Sequence, residues 1–104
     1  MPTHEELERF RHEYRRLSRD QRAQFRTALR RFRDALQAWE LRGMRGPPEF
    51  PAGLRVKAFY AEECWELTWA ADGRALWNYG AKRREGRCHI VWLRVGSHEI
   101  FEEG

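Results

Sequence analysis

Residues 65–80 read WELTWAADGRALWNYG, two alternating runs either side of Asp72-Gly73. Ala71-Asp72-Gly73 suits a three-residue hairpin loop, a type I turn followed by glycine in the left-handed conformation. Such a loop pairs Ala70 with Arg74, Thr68 with Leu76 and Glu66 with Asn78. Because successive strand side chains alternate, Trp65, Leu67, Trp69, Ala75, Trp77 and Tyr79 then share one face, and Glu66, Thr68, Arg74, Leu76 and Asn78 the other. The aromatic face needs a cover, and the opposite face is left to solvent or to a ligand.

The cover is upstream. Residues 3–17, THEELERFRHEYRRL, open with a Thr3-to-Glu6 capping box and place Leu7, Phe10, Tyr14 and Leu17 at helical spacing. Ser18 and Gln21 repeat the capping pattern. Phe25, Ala28, Leu29, Phe32, Leu36 and Trp39 then form a second, longer stripe that ends near Gly43. Two helices joined this tightly are expected to fold back as a hairpin over residues 1–42.

Residues 43–53, GMRGPPEFPAG, contain three prolines and three glycines and so read as a connector. Everything after it reads as β: LRVKAF at 54–59, CWELTWA at 64–70, RALWNYG at 74–80 and CHIVWLRV at 88–95. In the last of these, parity across the longer 80–87 loop points His89, Val91, Leu93 and Val95 to the core. Ile90, Trp92 and Arg94 then join the open face. The expectation is one α+β domain over residues 1–104, a helical hairpin on one face of a small, mainly antiparallel sheet that occupies residues 54–103.

Charge divides unevenly along the chain. Residues 1–42 hold 11 arginines against 7 acids and carry the whole net +4, whereas residues 43–104 hold 9 basic and 9 acidic side chains. A basic helical half suits a polyanion such as RNA, although a solvated helix face has the same composition. Without an apolar leader or a run long enough to span a bilayer, a cytoplasmic protein is expected. Cys64 and Cys88 lack metal-site spacing and read as free thiols kept apart by an intervening strand.

Glu66, Arg74 and Arg94 on one face, with His98 just beyond the last strand, are the parts for cleaving RNA through its own 2′-hydroxyl. Glu66 and His98 would divide base and acid work, Arg74 and Arg94 would stabilise the phosphorane, and Trp92 or Phe101 would stack a splayed base. Structural roles fit the same residues. Glu66 could be a cross-strand ion pair, Arg74 a solvated arginine after a turn, and His98 a surface or hydrogen-bonding residue.

WELTWAADGRALWNYG followed by HIVWLRVGSHEIF at 89–101 resembles the RelE/ParE superfamily of bacterial toxins, and especially its actinobacterial members. The resemblance implies the toxin of a type II toxin-antitoxin pair. The RelE branch cleaves mRNA on the ribosome without a metal or cofactor; the ParE branch inhibits DNA gyrase. A third possibility is a module that only binds antitoxin. Carried over by position, the catalytic strand arginine falls on Arg74 and the C-terminal basic or histidine position on His98. Arg55, Lys57, Thr68, Asn78, Trp92, Arg94 and Phe101 are the expected substrate contacts. The family's terminal tyrosine falls on Phe101, and the strand lysines of some members fall on Glu66 and Thr68. The family's first strand has no counterpart if Thr3 opens a helix, which leaves that sheet edge to LRVKAF or to an antitoxin segment. The implied partners are the cognate antitoxin, the ribosome and mRNA.

Overall fold

The computed structural model describes residues 2–97. Its elements run β1 (Thr3–Glu6), α1 (Glu8–Arg16), α2 (Arg19–Leu41), a 3-10 turn (Ala52–Leu54), β2 (Lys57–Phe59), a second 3-10 turn (Tyr60–Glu62), β3 (Cys64–Ala70), β4 (Gly73–Arg84) and β5 (Arg87–Ser97). Two helices pack against a five-stranded mixed sheet of order β1-β5-β4-β3-β2, in which only β1 and β5 run parallel. The α+β class and the mainly antiparallel sheet stand as expected.

The start of the chain differs. Thr3–Glu6 is a strand, not a capped helix turn, so the sheet does have a first strand, and β1 rather than LRVKAF fills the edge beside β5. The Thr3 hydroxyl reaches the Cys88 carbonyl at 3.3 Å and His89 Nδ1 at 2.7 Å. Leu7 N–H continues the ladder to the Trp92 carbonyl at 3.0 Å. The outer edge of β5 carries backbone groups that need partners, and meeting them outweighs a local capping preference. Helix α1 therefore begins after Leu7 with no side-chain cap. The second box is real: Gln21 N–H donates to Ser18 Oγ at 3.1 Å, and Ser18 N–H to Gln21 Oε1 at 2.8 Å.

The core lies between the two helices and the sheet. Phe10, Phe25, Phe32 and Leu36 meet Leu67, Trp69, Ala75 and Trp77 there, all buried. Trp65 and Tyr79, expected on the same face, flank Trp77 at centroid distances of 6.0 and 5.1 Å but remain 37% exposed each. The connector covers this end, with Phe50 stacked on Phe32 at 5.2 Å and Gly46 C=O accepting from Trp39 Nε1 at 2.8 Å.

The hairpin register is offset from the expected one by two residues. Thr68 pairs with Arg74 and Glu66 with Leu76, and Ala70 closes the turn against Gly73 around Ala71-Asp72. Gly73 does not take a positive φ; of the two hairpin turns, it is the β4–β5 turn that holds a left-handed glycine, Gly86 (φ 75). Glycine is needed at 73 for space, since a Cβ there would lie 2.4 Å from the Trp69 ring. The irregularity between Thr68 and Ala70 absorbs the offset, and a slide of two leaves every side chain on its expected face.

The parity of β5 is reversed through most of its length. Strand β4 runs on to Arg84 and turns tightly, so Cys88, Ile90 and Trp92 enter the core, while His89 and Val91 lie on the other face beside Gly80. Pairing then jumps from Trp77↔Trp92 to Leu76↔Arg94, and this bulge returns Val95 to the core as expected. No helix among the described residues is long and apolar enough to cross a membrane.

Candidate functional site

Helix α2, the 52–54 turn and the β3–β4 hairpin enclose a groove of 600 Å³. Its polar lining includes Thr27 and Arg31 from the helix, Arg55 after the turn, and Thr68 and Arg74 from the hairpin. Three arginines from three separate elements thus line one concavity. The alternation of β3 and β4 together with the tight 71–72 turn brings Thr68 and Arg74 side by side. Arg55 ends its 3-10 turn in the left-handed conformation, φ 46, with its N–H donating to Ala52 C=O at 3.1 Å. A non-glycine residue held there costs on the order of 1–3 kcal/mol, which the surrounding packing must cover.

Arg74 is fixed on two sides. Its Nε lies 3.3 Å from Glu66 Oε1, and the two side chains are only 16% and 10% exposed. Its Nη1 donates to the Gly73 carbonyl at 2.9 Å and more weakly to Ala70 and Ala71 at 3.3 and 3.4 Å. Trp69 Nε1 in turn holds the Arg74 carbonyl at 2.9 Å. Among the described residues Nη2 has no partner, so a preorganised donor remains for the groove. The Glu66 carboxylate is engaged by Arg74 and does not line the groove.

The other expected site residues are dispersed. Lys57 pairs across the ladder with Glu66 and is exposed. Asn78 is tied into local structure, donating to the Glu63 carbonyl at 3.2 Å and accepting from Tyr79 N–H at 3.0 Å. Trp92 is corrected from the open face to the core. It is 3% exposed, its ring 5.8, 5.7 and 5.3 Å from Phe10, Phe25 and Phe32, and no base can reach it. Arg94 does not join Arg74. Its Nη2 binds Glu13 Oε2 at 2.6 Å, and the same carboxylate accepts from Val95 N–H at 3.3 Å beyond the end of β1. His98 and Phe101 lie outside the described residues.

Sequence reasoning passed over Arg31. Its position three residues after buried Ala28 was the available signal, since that spacing sets it at the margin of the helix face that meets the sheet. It also passed over the His89 cluster on the helix-free face. His89 is 4% exposed, bound by Thr3 and 3.5 Å from Glu5 Oε1, and Glu5 in turn lies 3.4 Å from Arg83. That cluster fastens β1 to β5.

Neither cysteine is a nucleophile at neutral pH. Burial, with Glu62 and Glu66 adding to it, pushes the Cys64 thiol up to about 11, and burial followed by the Glu40 carboxylate pushes Cys88 up to about 12. Both are free and buried, with β4 between their strands as expected. No group of three or more His, Cys, Asp or Glu side chains among the described residues is placed to hold a metal ion.

No protein-family model, curated protein or solved structure matches the chain.

Proposed function

We propose that this chain is the toxin of a type II toxin-antitoxin pair of the RelE kind, and that it cleaves mRNA on the ribosome. The observation that carries the reading is the junction of Arg55, Thr68 and Arg74 in one basic groove, with Arg74 held rigid by Glu66. A fixed guanidinium can stabilise a phosphorane without reorganising, which is the electrostatic requirement of 2′-hydroxyl attack. In that reaction the 2′-oxygen loses its proton and attacks phosphorus, the P–O5′ bond breaks, and the departing 5′-oxygen is protonated. A 2′,3′-cyclic phosphate and a 5′-hydroxyl result.

In this reading Glu66 takes a different part from the one its type suggests. Bound to Arg74 and outside the groove lining, it orients the guanidinium, and proton transfer falls to His98 and to groups supplied by the ribosome and mRNA. The first strand also supports the reading, because β1 beside β5 supplies the element that the resemblance calls for. The purified protein is expected to cut mRNA bound to programmed ribosomes and to leave free mRNA intact. Inhibition of gyrase supercoiling with mRNA intact would instead put it among the gyrase inhibitors.

A further inference from the structure

We propose that Arg31 and Arg55 form a phosphate subsite, distinct from the Arg74–Glu66 pair, that grips a backbone phosphate of single-stranded RNA. This rests on the reading of the groove as an RNA site; it adds Arg31 and gives Arg55, already an expected substrate contact, a phosphate away from the scissile bond.

Both arginines line the groove, Arg31 from α2 and Arg55 from the end of the 52–54 turn. Arg31 projects from α2 toward the 52–54 turn, so that a Cβ built on Gly53 would lie 3.7 Å from its Nη1 and 3.8 Å from its Nη2. Arg55 follows two residues later, and its left-handed backbone sets the exit of the chain from that turn. Among the described residues neither side chain has a hydrogen-bond or ion-pair partner, in contrast to Arg74 and Arg94. Asp34 and Glu49 line the depression on the far side of Arg31, yet no carboxylate comes within ion-pair distance of it. A phosphate in the groove would offer each guanidinium a bidentate acceptor.

The shape of the cleft selects the form of the nucleic acid. Its volume of 600 Å³ lies within the roughly 300–1,000 Å³ of small-ligand pockets, room for a short stretch of single strand. Trp69, the aromatic in the lining, is 7% exposed and offers little surface for stacking, so the groove holds backbone and not bases.

The test is fluorescence anisotropy with a short labelled oligouridylate, titrated at several KCl concentrations. The variants are Arg31→Gln, Arg55→Asn and their combination. Asparagine tolerates the left-handed conformation, so Arg55→Asn keeps the turn. Arg30→Gln on the outer side of α2 removes the same charge and serves as control. Each groove variant is expected to weaken binding about tenfold, on the scale of one charged hydrogen-bonding contact. The double variant should flatten the slope of log K against log salt by about 0.7, the value for one neutralised single-stranded phosphate. Arg30→Gln should change affinity by less than about twofold, as a screened surface charge.

Groove variants that bind like wild type, or lose no more than Arg30→Gln, overturn the subsite. So does a wild-type protein that does not bind the oligouridylate. Cleavage on the ribosome separates this from the preceding reading. A cleaving protein whose RNA affinity ignores Arg31 and Arg55 loses the subsite and keeps the ribonuclease assignment. Binding that depends on both arginines without cleavage keeps the subsite and removes the ribonuclease.

Discussion

Removing the Arg74 guanidinium has two separable effects, because the side chain is both a donor to the groove and the partner of a largely buried carboxylate. Arg74→Gln should lower ribosome-dependent cleavage on the order of 10²–10³-fold, the scale of losing one preorganised electrostatic donor. It should also destabilise the fold by about 3 kcal/mol, since Glu66 is left with an uncompensated charge. Glu66→Gln in the same chain should recover most of that stability and little of the activity. Urea unfolding of the single and double variants reads the coupling, and additive losses would show that the pair does not interact. The sequence placed Glu66 and Arg74 on one face because alternation survives a slide of two residues, so their shared face was legible even with the wrong register, while their contact was not. The pairing of Arg94 with Glu13 was not legible, because it depends on how α1 lies along β5 past the end of β1.

Two identical capping patterns had different fates. Ser18-to-Gln21 and Thr3-to-Glu6 both read as helix starts, but only the first is one. What separates them is the unpaired edge of β5, a demand from elsewhere in the fold that a local pattern cannot carry. Ser18→Ala should therefore cost about 1 kcal/mol of stability, whereas Thr3→Ala should lose its bonds to β5 without changing α1 helicity. A drop in α1 helicity, followed by site-resolved hydrogen exchange, would contradict the assignment of β1. The β3–β4 turn offers a sharper test of packing. Gly73→Ala drives a Cβ into the Trp69 ring, so it should destabilise by about 1–3 kcal/mol and also disturb Arg74, whose carbonyl Trp69 holds. The reversed parity of β5 has a similar origin: the 80–87 segment extends β4 instead of looping, and the bulge opposite Leu76 and Trp77 cannot be read from hydrophobic alternation alone.

Across the whole molecule, the buried thiols and Tyr79 link stability to alkaline pH. Burial raises Tyr79 from 10.0 to about 12, and it raises Cys64 and Cys88 from 9.0 to about 11 and about 12. Each group holds its proton in the folded chain at a pH where the unfolded chain has released it. Stability should thus be fully present below roughly pH 9 and fall as pH rises toward 12, and Cys64→Ala/Cys88→Ala should flatten that decline. A urea midpoint indifferent to pH across this window would show that the thiols are not buried as described. The fold class, the helix-covered aromatic face and the separation of the cysteines were all available from periodicity, while the basic groove needed the 52–54 turn to be set against α2 in three dimensions. Whether that groove serves mRNA cleavage is tested most directly by inducing the chain in cells and mapping mRNA 5′ ends for the wild type and Arg74→Gln. The expected result is translation-dependent cuts at codons that fade in the variant; intact mRNA accompanied by DNA damage would contradict the assignment.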